Sequence, residues 1–201
     1  MTQPSLFDDT DTDALTAVRF HPDFSSWQQR ARQLLMNETP PQRVWWQPDH
    51  TRERTVTSSS VTAVRVPKSF IAQARAASCH RSNERWALLY HLLWRLTHGE
   101  RYLMQLASDP QVAKLRHYAK SVSRDVHKMK AFVRFRAVDD AEGDQRYVAW
   151  FEPDHFIVEY AAPFFERRFA NMRWSILTPD CCAHWEGSGE LWFSEGADKA
   201  A

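Results

Sequence analysis

Between Gln111 and Arg136 the chain carries eight Lys or Arg residues and a single acid, Asp125. Within this run His117, Lys120, Arg124, His127 and Lys128 follow one another at intervals of 3, 4, 3 and 1, which places them on one stripe of an α-helix. Lys130 stands at the helix end, and Arg134 and Arg136, two apart, share one face if the next segment is a strand. A row of fixed cations is suited to holding the phosphates of a nucleic-acid backbone. The competing explanation is the ordinary solvated face of an amphipathic helix. Such faces usually alternate charge for i,i+4 pairing, and one acid among eight bases does not supply that. His80–Arg81, in a predicted connection between two helices, is a further pair that can reach phosphate.

Acid–base chemistry has weaker candidates. His127 and His155 can each act as a general acid or base, since histidine titrates near neutral pH. Glu152 and Asp154 lie beside His155 and form a candidate cluster with it. No nucleophile-elbow, zinc-protease, P-loop or dinucleotide-binding motif accompanies them. The three cysteines, Cys79, Cys181 and Cys182, are too few and wrongly spaced for a four-ligand metal site, and their odd number argues against a disulfide framework. No metal or cofactor is expected. Trp150, Phe151, Phe156, Tyr160, Phe164, Phe165, Phe169, Trp174 and Trp185 lie among Arg167, Arg168 and Arg173, a mixture that can stack unpaired bases. In a small domain such rings more often pack the core.

The elements that must carry these residues are readable from periodicity. Strands are expected at Ala17–Phe20, Val44–Trp46 and Val61–Val66, and helices at Phe24–Met36 (capped by Ser25–Ser26), from Pro67 to about Ser78, and over Asn83–Thr97, with Trp86, Leu89, Leu93 and Leu96 on one side. The longest helix is predicted from Asp109–Pro110 to about Lys130. Asp109 serves as its cap, and Val112, Leu115, Ala119, Val122, Val126 and Met129 form one apolar stripe. Short β-rich runs follow at Phe132–Val138, Tyr147–Phe151, Trp174–Thr178, Ala183–Glu186 and Leu191–Phe193, interrupted by a helix near Ala162–Asn171. His155–Tyr160 fits either strand or helix. The fold class is α+β: a helical first half that includes the long basic helix, then a mainly antiparallel sheet with one further helix.

At 201 residues the chain is long enough for one self-sufficient core, and the domain is placed at residues 15–194, with a tail or linker at 195–201. The net charge of +1 conceals a segregation: residues 1–14 carry −4, residues 15–136 carry +13 and residues 137–201 carry −8. Residues 1–14 have the composition of a disordered acidic tail. Within it Gln3-Pro4-Ser5-Leu6-Phe7 resembles the pentapeptide that docks on the bacterial sliding clamp, which would use Gln3, Leu6 and Phe7, although Pro4 stands where that motif usually has Leu. A cleavable leader is not recognisable, no stretch is apolar enough to span a membrane, and a cytoplasmic location is expected.

Four ordered segments carry a wider resemblance: Val126–Arg136, Val148–His155, Phe164–Phe169 and Trp174–Asp180, supported by Cys79–Arg81 and Leu89–Leu96. Together, over roughly residues 16–194, they resemble a bacterial DNA-metabolism domain of unknown function. That domain occurs as the partner of a DNA-repair radical-SAM protein and ahead of UdgX-type uracil-DNA glycosylase domains. The glycosylase's own cysteine cluster and His-Ser/Asn-Pro loop are absent, and Leu191–Ala201 resembles the linker that leads into it. The resemblance implies a DNA-binding accessory module of a repair system, with the glycosylase or radical-SAM protein and DNA as partners. Two other functions compete with it: an enzyme acting on damaged DNA or nucleotides, and a protein-interaction domain docking on the repair partner.

Overall fold

A computed structural model describes residues 15–51, 64–139 and 145–199. Strand β1 (Thr16–Phe20), helix α1 (Phe24–Met36) and strand β2 (Val44–Pro48) form a βαβ unit whose two strands pair in parallel, Thr16 opposite Val44 and Phe20 opposite Pro48. Helix α1 is capped not by the Ser25–Ser26 pair but by Asp23, whose carboxylate accepts from the Ser26 amide and hydroxyl, both at 2.8 Å. Helix α2 (Lys68–Ala77) follows, and the described residues before it, Val64–Pro67, form no strand. Helix α3 (Arg85–Thr97) buries Leu88, Tyr90 and Leu92 as well as the predicted Trp86, Leu89, Leu93 and Leu96. It is therefore a central helix rather than one with a single apolar stripe.

Helix α4 (Pro110–Phe132) begins as predicted, with the Asp109 carboxylate accepting from the amides of Gln111 and Val112. It runs two residues past Lys130, because Met129 and Val133 are still buried against the second half of the molecule. The strand expected over Phe132–Val138 is thereby shortened to β3 (Arg136–Asp139). Strands β3, β4 (Gln145–Trp150), β5 (Trp174–Leu177), β6 (Cys181–Trp185) and β7 (Trp192–Glu195) form one sheet in that order. Only the β4–β5 pair is parallel, and helix α5 (Val158–Arg168) connects it. Helix α5 begins four residues earlier than predicted, so Pro163 lies in its second turn and removes one main-chain hydrogen bond. Burial of Val158, Ala161, Ala162 and Phe165 maintains the helix there. The molecule is α+β, with helices first and a mainly antiparallel sheet after.

Two buried clusters result. The first gathers β1, β2, α1, α2, α3 and the N-terminal part of α4 around Phe20, Trp27, Trp46, Trp86 and Tyr90. The second gathers the C-terminal part of α4, α5 and the sheet around Ile157, Phe165, Trp174 and Ile176. Helix α4 belongs to both.

Candidate nucleic-acid interface

Burial of the apolar stripe of α4 forces its opposite face outward. His117, Lys120, Arg124, His127, Lys128 and Lys130 are all exposed, as are Arg134 and Arg136 beyond the helix. Lys120, Arg124 and Lys128 stand four residues apart and form one ridge. Of these cations, Lys128 pairs with Asp154 at 3.0 Å, with both side chains more than half exposed, so the pair is weak. Lys130 lies 4.6 Å from the Phe164 ring centroid. Lys120, Arg124, Lys130, Arg134 and Arg136 have no carboxylate partner among the described residues.

Arg134 does not share a strand face with Arg136, because it lies in the connection after α4. There its guanidinium donates to the carbonyls of Ala131 and Val133 at 2.6 and 3.0 Å. It caps the helix C-terminus, where a cation is favoured, while remaining exposed.

His80 and Arg81 are held differently. The Arg81 guanidinium makes two hydrogen bonds to Asp180, at 2.6 and 3.2 Å, donates to the carbonyls of Asp154 and Pro153, and lies 4.5 Å over the Phe156 ring. Its donors are turned inward to close a loop, so it does not extend the exposed row. His80 stacks on Tyr118 of α4 with centroids 3.8 Å apart, and its Nδ1 accepts from the Ser82 amide at 3.1 Å. Burial, then the neighbouring His155, His117 and Arg85, push its pKa down to about 4. It is neutral at pH 7 and contributes no charge to the interface.

The acidic candidates separate in the same way. Glu152 accepts from the Trp150 indole and from Lys199, Asp154 faces Lys128, and His155 turns to α4. Three polar side chains within four residues therefore point to three places and form no acid–base cluster. His155 is buried. Its amide donates to Asp125 at 2.9 Å, its Nδ1 accepts from the Arg81 amide at 3.3 Å, and its Nε2 lies 2.7 Å from Ser121 Oγ. Because Nδ1 accepts and burial lowers the pKa, the ring is neutral with its proton on Nε2, directed at Ser121. A serine nucleophile needs the opposite wiring: an imidazole that accepts from the hydroxyl and is itself backed by a carboxylate. Ser121–His155 is a latch, not a catalytic pair. His127 is exposed and has no hydrogen-bond partner among the described residues.

On the far side of His155 a cleft of about 920 Å³ opens, bordered by Cys79, Phe156, Glu159, Tyr160, Asp180 and Phe193. Burial raises the Cys79 thiol to about 11, so Cys79 is a protonated thiol at neutral pH. Among the described residues no group of three or more His, Cys, Asp or Glu could hold a metal ion, and no helix is long and apolar enough to cross a membrane. Most rings of the C-terminal third pack inward. Phe135, Phe165, Phe169 and Trp174 form one contact group, while Arg173 pairs with Glu186. Gln3, Leu6 and Phe7 lie outside the described residues.

Sequence reasoning missed Ser121, Asp125 and Asp180 as partners of this loop network. Asp125 carried the one available signal: the sole acid of the segment lies between Val122 and Val126, next to the apolar stripe, where a carboxylate must find a buried donor.

The family model for a domain of unknown function, DUF4130, matches residues 83–199, which comprise α3, α4, α5 and the whole five-stranded sheet. The chain belongs to the DUF4130 family. The matched segment contains the exposed cation row and His155, while His80 and Arg81 lie just before it. No curated protein and no solved structure matches the chain.

Proposed function

We propose that this DUF4130 protein is a DNA-binding accessory module of a DNA-repair system. One observation carries the reading: Lys120, Arg124, Lys130, Arg134 and Arg136 are exposed without a carboxylate partner among the described residues, along a rigid helix, the connection after it and the start of the next strand. Lys120 to Lys130 spans about 15 Å of helix at 1.5 Å per residue, long enough to follow several phosphates. Such contacts give affinity without base preference. The repair context, with a UdgX-type uracil-DNA glycosylase or a radical-SAM repair protein as partner, rests on the sequence resemblance. A role as an enzyme is disfavoured by the reversed Ser121–His155 wiring and the dispersed carboxylates.

The test is fluorescence anisotropy of a labelled 20-mer at increasing salt. Five phosphate contacts predict a slope of log K against log salt of about −4 to −5, and Lys120→Ala/Arg124→Ala reduces its magnitude by about 2. Binding that ignores salt, or a double variant with unchanged slope, overturns the reading.

A further inference from the structure

The ridge of Lys120, Arg124 and Lys128 has a fourth member one step further along. Phe132, the last residue of α4, continues the spacing of four and is 68% exposed. A single exposed apolar side chain is ordinary on a protein surface. This one is distinguished by its position. It sits on a helix end fixed by the buried Met129 and Val133 on either side, with Lys130 before it and Arg134 and Arg136 after it. The cations exclude a conventional apolar partner, which would have to bury several charges to reach the ring. They favour a polyanion that also presents a flat apolar face, and an unpaired nucleobase on a phosphate backbone is that chemistry.

We infer that Phe132 is a stacking platform for an unpaired DNA base, so that the interface prefers single-stranded or locally opened DNA to an intact duplex. The inference rests on the DNA-binding reading above and assigns it a substrate class. Phosphates track the ridge from Lys120 to Lys128, and the strand ends its run with one base against the Phe132 ring. An intact duplex engages the cations alone, because its bases are already stacked on one another.

The experiment compares one fluorescein-labelled 20-mer, single-stranded and as a duplex, binding the full chain, its Phe132→Ala variant and its Phe132→Trp variant. The wild type is expected to bind the single strand more tightly. Phe132→Ala is expected to weaken single-strand binding roughly tenfold, the scale of one base–aromatic stack, and to leave duplex affinity and salt slope unchanged. Phe132→Trp is expected to restore single-strand affinity. A 2-aminopurine placed in the strand is expected to change fluorescence on binding the wild type and not Phe132→Ala. Equal affinity of Phe132→Ala and wild type for the single strand, or an equal loss on both DNA forms, overturns the stacking role and leaves DNA binding standing. Failure of the wild type to bind either form overturns both.

Discussion

His80, a candidate phosphate contact, and His155, a candidate acid or base, are both held in structural roles. Their rings lie 4.4 Å apart, and each accepts a backbone N–H on Nδ1, a bond that protonation would abolish. Burial lowers both pKa values, that of His80 to about 4. Linkage fixes the sign of the consequence. In the unfolded chain His80 titrates near 6.5, so between about pH 6.5 and pH 4 the unfolded state binds a proton that the folded state refuses. The stability tied to His80 is complete above that window and declines as pH falls through it. His155 acts in the same direction. Denaturant midpoints measured from pH 8 to pH 5 should therefore fall toward acid. His80→Asn, whose amide oxygen can still accept from Ser82, should flatten the profile. An unaltered slope in the variant would place the acid sensitivity elsewhere.

At the scale of elements, α4 organises the rest. Its start, its apolar stripe and its cationic face were legible because cap, proline and periodicity agree over more than twenty residues. Its end was not, since Phe132–Phe135 has β-favouring residues and only tertiary burial of Met129 and Val133 extends the helix. Arg134 changed role with that boundary, from a strand cation to a helix cap. The loop network was equally hidden: Arg81 meets Asp180 across 99 residues, a separation that no local pattern encodes. Asp125 ties α4 to that network by accepting the His155 amide while only 3% exposed. Asp125→Ala leaves the buried amide unpaired and should cost about 2 kcal/mol. Asp125→Asn, which keeps an acceptor oxygen, should cost less than half as much. Urea titration of the two variants checks this, and equal losses would show that the carboxylate's charge, not its hydrogen bond, is what matters.

At the scale of the whole molecule, ion pairs among the described residues cancel little of the segregated charge. Of the cations at 111–136, only Lys128 pairs with an acid of the C-terminal third among the described residues, while Lys114 pairs with Glu84 within the basic part. Arg81–Asp180 joins the two parts at the loop, and Glu186 is taken by Arg146 and Arg173 of its own half. The architecture also bears on the family boundary. The matched segment, residues 83–199, starts inside the first core cluster. Phe20 packs edge-on against Trp86 at 5.1 Å, Trp27 stacks beside it at 6.5 Å, and Trp46 meets Tyr90 at 5.6 Å. A fragment limited to 83–199 loses those three rings from α3. Their removal exposes to water the faces of Trp86 and Tyr90 that they cover, two rings that are fully buried in the full chain. The sheet half cannot compensate, because α4 is shared: its first turns, with Val112 and Leu115, pack only in the first cluster. The fragment is therefore expected to lack a cooperative thermal transition and to show red-shifted tryptophan emission, whereas the full chain melts in a single step. A fragment that melts cooperatively with native-like emission would show that α4, α5 and the sheet form a self-sufficient unit, and that β1, β2, α1 and α2 are an addition to it rather than half of its core.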